Sequence, residues 1–402
     1  MPLTRELDAT LTFVLAGGSR KELEPLTLRR ARAAVPFAGT YRLIDFALSN
    51  VIHSGLRRVH VLTPRRARSL EEHLRFGWSF LPRRLEQFIS IRPAAHKGSG
   101  EWYPGSANAL QQNLDAIAQA GPRHVLVLWG EQVYRMDYGA LLAEHLESDA
   151  DATVATLTPP EGVRPPFGWV RAAADGELRA VGGGEEGPPS GAETAMGVFL
   201  FRAEELLARL TASAELGGEA SHDLLQDLVA GALADGKRVR AYRYSGPSPD
   251  ERPYWRDVAT LDAYYRANLE LVRSDPPLSL DDIEWRTYTL RRDDPPARTV
   301  TAGSPARVDD SLVGAGSIVR GSRVRGSILG GRVRTGEGAE VEDSILLTGV
   351  RVGPGARVRR AIVDKWVEIP PGIEIGHDLD RDGDRFTVTD SGIVVIPNGY
   401  RF

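Results

Sequence analysis

The stretch Val14-Leu15-Ala16-Gly17-Gly18-Ser19-Arg20-Lys21-Glu22-Leu23-Glu24-Pro25-Leu26-Thr27 decides how this chain is read. It continues a short apolar run, Leu11 to Leu15, that reads as a buried strand, and Gly17-Gly18 breaks that strand into a loop. A loop after the first strand of an α/β domain can offer backbone N–H groups to phosphate oxygens. A double glycine is also the mark of an ordinary tight turn. The loop alone therefore assigns no chemistry.

Bulk properties narrow the field. A chain of 402 residues is long enough for two domains. Its net charge of -4 gives no electrostatic reason to expect nucleic acid or an anionic membrane as partner. No apolar run is long enough to span a bilayer and no signal pattern opens the chain, so the expected location is cytoplasmic. With no cysteine, disulfides and thiol chemistry are excluded. Lysine occurs only at Lys21, Lys97, Lys237 and Lys365, so arginine carries nearly all the positive charge.

Further strands follow from apolar runs. Arg57 to Thr63 predicts a second strand, Arg66 to Phe76 a helix, and His124 to Gly130 a buried strand of a parallel core. Phe167 to Val181 predicts a hairpin turning at Asp175-Gly176, and Ala259 to Val272 a last helix. From Ala306 onward apolar residues step about six apart, as in Leu312, Ile318 and Val324, and again in Val363, Ile369 and Ile375. Hexad periodicity with interspersed glycine predicts a left-handed parallel β-helix. The fold expected is thus a Rossmann-like α/β domain with a mixed, mainly parallel sheet over residues 1–273. A proline-rich linker, 274–297, leads to the β-helix, 298–402.

Leu15-Ala16-Gly17-Gly18 with Leu23-Glu24-Pro25-Leu26-Thr27 resembles the signature of the sugar-1-phosphate nucleotidyltransferases. The resemblance is closest to bacterial ADP-glucose pyrophosphorylase (glucose-1-phosphate adenylyltransferase), and covers about Leu11 to Ile396. Tyr41 to Asn50, Trp102 to Ala109, Thr194 to Phe201, Ser221-His222-Asp223 and Tyr254 to Val258 match further blocks of that family in order. It implies a nucleotide site at Leu15, Ala16, Gly17, Gly18, Trp102, Tyr103, Gly105 and Ser106. It implies a sugar-phosphate pocket at Asp223, Trp255, Ala195 and Phe199, and Mg²⁺ at Glu131 and Asp257 whenever a nucleotide binds. Arg29, Arg30 and Arg42 fall where the family binds anionic activators, although an arginine cluster is also an ordinary solvated face.

Several working groups of the family are replaced. Its catalytic arginine is Glu22 here, its metal-binding aspartate is Glu131, and its sugar-phosphate lysine falls in the Gly182-Gly183-Gly184 region. Ala195 and Phe199 stand for a serine and a tyrosine. Reversing a charge beside a triphosphate is severe, since one unit charge at about 4 Å is worth roughly 4 kcal/mol at an effective dielectric near 20. Losses on both substrates imply a catalytically silent regulatory subunit paired with an active paralogue. Alternatives are an active pyrophosphorylase with altered ligands and a stand-alone sugar-nucleotide sensor. The β-helix has no histidine base between His222 and His377, so its expected role is oligomeric, a homo- or hetero-tetramer by analogy, with a phosphorylated metabolite as effector.

Overall fold

The computed structural model describes residues 3–17, 21–64, 67–94, 103, 105–158, 166–183, 188–216, 223–247 and 253–402. The chain forms two compact units that interleave along the sequence: Met1–Ser19 with Phe46–Trp255, and Arg20–Asp45 with Arg256–Phe402. Sequence texture changes near residues 273 and 298. Packing, by contrast, hands the segment after the glycine loop to the second unit.

In the first unit, strand Thr10–Leu15 lies in the middle of a nine-stranded sheet. All six of its residues are buried, which suits a strand covered on both faces. Arg58–Thr63 and His124–Trp129 flank it in parallel, with Leu15 opposite Leu62 on one side and Trp129 on the other. Phe88–Pro93 extends the parallel set beyond Arg58–Thr63. Glu193–Arg202 then pairs antiparallel with His124–Trp129, which makes the sheet mixed, as expected. The expected hairpin also forms, from Trp169–Ala172 and Leu178–Gly182, with Gly176 at a φ of 88° in its turn.

Strand Glu193–Arg202 carries a bulge between Ala195 and Phe199. Gly197 makes it possible, with a φ of 76° that a side chain would strain. A Cβ there would also stand 3.2 Å from both the Gln132 amide and the Phe167 ring. The bulge therefore brings backbone up against those two side chains.

The second unit contains three sheets built from one parallel strand of each successive coil, the third closed by Thr387–Val388 running antiparallel to Val394–Ile396. Arg325–Glu342, Arg351–Glu368 and Arg357–Glu374 pair across coils at a spacing of 17 residues. Inside run Val324, Val341, Val358 and Ile375 on one side, and Val352 and Ile369 on another, all buried. One hexad position is corrected here: Ile318 points outward and is only half-buried, while Val319 takes the interior place above Thr335. The central strands of the third sheet, from Ile328–Leu329 to Val394–Ile396, are buried on both faces. Ile328, Ile345 and Ile362 face out of the coil yet are fully buried, and Gly39 packs on Ile328 from the Arg20–Asp45 segment. Helix Leu261–Leu269, capped by the Thr260 hydroxyl, joins that packing: Asn268 Oδ1 accepts from Ala38 N at 2.8 Å, and Tyr264 donates to Pro36 O.

Candidate functional site

The glycine loop starts from a backbone pinned at two points. Ala16 N donates to Leu62 O and Gly130 N donates to Leu15 O, each at 2.9 Å. Gly17 then passes Tyr103 so closely that a Cβ would sit 3.3 Å from its ring. Tyr103 is itself anchored by donation to Arg92 O, and burial raises its phenol above the usual value. Leu15, Ala16, Gly17 and Tyr103 are thus brought together, while Gly18 and Trp102 lie outside the described residues.

Gly105 leads into helix Ser106–Gln111. Ser106 Oγ accepts from Leu224 N at 2.9 Å and reaches Asp223 Oδ2 at 3.5 Å. Asp223 caps the next helical segment, with Oδ1 accepting from Leu225 N and Gln226 N. Burial raises the Asp223 carboxyl while those two backbone donors pull it down. Two residues of separate sequence-stated roles are therefore joined in one capping arrangement. Ser221, His222 and Gly184 lie outside the described residues.

Around strand Glu193–Arg202 the surroundings are aromatic. Phe199 is buried, with its ring centroid 5.7 Å from that of Trp129. Trp129 stands 4.9 Å from Phe167, and Phe167 meets Trp255 edge-on at 6.5 Å. Ala195 is completely buried. Hydrophobic packing, not hydroxyl chemistry, occupies these positions. Beside them Gln132 is fully buried with neither amide atom hydrogen-bonded, a residue that sequence reasoning passed over. Its signal was its place directly after Glu131 at the end of a buried strand.

Glu131 is buried at that strand end in the first unit, whereas Asp257 is half-buried in the second. Among the described residues no group of three His, Cys, Asp or Glu side chains could hold a metal ion. Carboxylate oxygens are nonetheless the hard donors that Mg²⁺ takes, with waters and substrate phosphates filling the remaining positions. Glu22 is exposed in the second unit, next to the buried Leu23 and ahead of the half-buried Pro25 and buried Leu26.

Arg29, Arg30 and Arg42 all lie in the second unit, and two of them, Arg30 and Arg42, act on one lysine. Arg30 Nη2 donates to both oxygens of Asp364, at 2.9 and 2.8 Å. Its other terminal nitrogen, Nη1, is buried without a hydrogen-bond partner. Arg42 turns its backbone N–H to Asp45 Oδ2. Arg29 is exposed, with its guanidinium beside Gly399. At the centre stands Lys365, which the sequence did not single out. Burial pushes its amine down to about 7, helped by Arg42 and Arg30 and further by Arg292, while Asp364 pulls the other way. A lysine lowered by burial and by neighbouring arginines, against the pull of Asp364, marks a place rich in positive charge.

Comparison with known proteins agrees with this architecture. The nucleotidyl transferase family matches residues 11–274, and the GlmU-like C-terminal hexapeptide family matches 295–396. Glucose-1-phosphate adenylyltransferase of Methylococcus capsulatus is 39% identical over 98% of this chain and 94% of its own length. Two proteins of Alkalilimnicola ehrlichii, glucose-1-phosphate adenylyltransferases 1 and 2, are 41% and 40% identical, over 98% and 96% of this chain and 94% and 93% of their own lengths. Among the described residues no helix is long and apolar enough to cross a membrane. With its mixed sheet, its left-handed β-helix and this near-full-length likeness, the chain belongs to the glucose-1-phosphate adenylyltransferase family of ADP-glucose synthesis.

Proposed function

We propose that this chain is a regulatory subunit of that family, silent in catalysis by itself and paired with an active paralogue. The observation that carries the reading is the contrast between two places in the molecule. Where the family handles sugar phosphate, Ala195 and Phe199 are packed into an apolar and aromatic core. Where it binds anionic effectors, Arg30, Arg42 and Lys365 stand together with a buried, unpartnered guanidinium nitrogen. Transfer chemistry rests on donors aimed at developing charge, and those donors are reduced here. Forked guanidinium groups and an ammonium suit phosphate oxygens, so a phosphorylated metabolite is the expected effector. The two numbered Alkalilimnicola relatives show that one organism can carry two members of the family.

A nucleotide, when bound, would lie on Leu15, Ala16, Gly17 and Tyr103, with Glu131 the first-unit carboxylate that would hold Mg²⁺ against its phosphate charge. The carboxylate charge kept at Glu131 and the identity of about 40% to named adenylyltransferases favour a second reading, an active enzyme with altered ligands. Assaying the purified chain with ATP, glucose 1-phosphate and Mg²⁺ separates the two. Silence alone, together with stimulation of a co-expressed paralogue, supports the regulatory reading. Turnover of about 1 s⁻¹ or more by the chain alone overturns it.

A further inference from the structure

An open cleft of about 840 Å³ lies on the β-helix, where Tyr400 and Arg401 fold back beside the coils. Arg334 and Arg351 line it on adjacent strands in direct register, so their side chains project side by side at the spacing of neighbouring strands, about 4.8 Å. Like charges placed opposite one another destabilise a sheet. Arg351 is balanced by Glu368 at 3.0 Å. Arg334 and Arg401 make no ion pair among the described residues. Among the residues lining this cleft, three guanidinium groups thus share one side-chain carboxylate, Glu368.

Trp366 supplies the other half of the chemistry. Its side chain is exposed at 54%, unusual for so large an apolar ring. The ring is nonetheless held in place, because it lies across Gly349, where a Cβ would come within 2.1 Å of the indole. Gly349 at a φ of 78° leaves the room that the ring fills. A fixed indole facing an open cleft is a stacking platform with little entropy left to lose.

We propose that this cleft binds a nucleotide, with the base stacked on Trp366 and the phosphates between Arg334 and Arg401. The volume favours this over a bare phosphate, since it falls within the range that takes whole small molecules. Unbalanced guanidinium charge favours it over a neutral sugar. The cleft is lined by none of Arg30, Arg42 and Lys365, but it adjoins their cluster, since Gly399, beside the Arg29 guanidinium, and Trp366, next to Lys365, both line it.

The test is calorimetric titration of ADP, without Mg²⁺, into the full chain and its variants. Saturable binding is expected, weakened about tenfold or more in Trp366→Ala and in the Arg334→Gln/Arg401→Gln double variant, as loss of stacking or of charge-assisted contacts predicts. Trp366→Phe keeps an aromatic face and should stay close to wild type, which separates lost stacking from lost folding. Adenosine alone and inorganic phosphate alone should each bind more weakly than ADP. Equal ADP affinity in wild type, Trp366→Ala and the double variant overturns the proposal, because the nucleotide then sits elsewhere. No ADP binding at millimolar concentration overturns it too, and if Trp366 is then shielded from iodide quenching, a second copy of the chain covers the cleft.

Discussion

Arg30 and Asp364 are 334 residues apart in sequence and meet through one nitrogen, Nη2, which donates to both carboxylate oxygens. Both side chains are almost wholly buried, at 6% and 2% exposure. Breaking a buried pair from one side strands the other charge and costs about 3–5 kcal/mol. Arg30→Ala is therefore expected to lower unfolding stability by that order, and Arg30→Ala with Asp364→Ala to recover much of it. Denaturant titration of the three proteins checks this; additive losses would contradict a paired role.

Lys365 sets a pH dependence. Its amine falls from the ordinary 10.5 to about 7 in the folded chain. Between those values the unfolded chain binds the extra proton, so its presence opposes folding most fully below pH 7 and progressively less up to 10.5. Wild-type stability from this group should rise over that window. Lys365→Met, which lacks the charge, should be the more stable protein near pH 7 and lose its advantage as pH approaches 10. Melting curves of both proteins across this range decide it, and a constant gap would reject the assignment.

The anion cluster predicts regulation. Arg42→Ala with Lys365→Met removes two of its cations without stranding Asp364. In a mixture with a catalytic paralogue, wild type should shift the activation curve for a phosphorylated metabolite by about 5–150-fold in concentration, the usual span of allosteric coupling. The double variant should abolish that shift. Superimposable curves would falsify the regulatory role of these residues.

Restoring the family's groups on the nucleotide side should not restore turnover. Glu22→Arg with Glu131→Asp is expected to strengthen ATP binding while leaving synthesis of ADP-glucose near background, since the positions of Ala195 and Phe199 still lack hydroxyl donors. Equilibrium binding and product assays on the same variant measure the two effects separately. Recovery of rapid turnover would show that the sugar side is intact.

Assembly is expected to run through the β-helix, with light scattering of the full chain giving a tetramer. A chain ending near Pro277 would take the packing away from Arg20–Asp45: Arg30 would lose Asp364, and Gly39 would lose Ile328. Such a truncation is expected to aggregate or melt early, not to give a tidy monomer. Differential scanning fluorimetry shows which.

What the sequence determined alone was everything carried by short-range periodicity. The unbroken apolar run at Leu11 to Leu15 placed a strand buried on both faces. The hexads placed a β-helix, although Ile318 and Val319 were one residue out of register, because two adjacent branched residues satisfy the same spacing. Motif blocks likewise placed Leu15 to Gly17 beside Tyr103. Only the tertiary structure decided what depends on distant parts of the chain meeting. Nothing local marks Lys365 as buried among Arg30, Arg42 and Arg292. Nothing local shows that Asp223 Oδ1 accepts from Leu225 N and Gln226 N while Oδ2 faces Ser106. The charge, burial and hydrogen bonding of a side chain are set by its neighbours in space, and in this chain those neighbours come from opposite ends of the sequence.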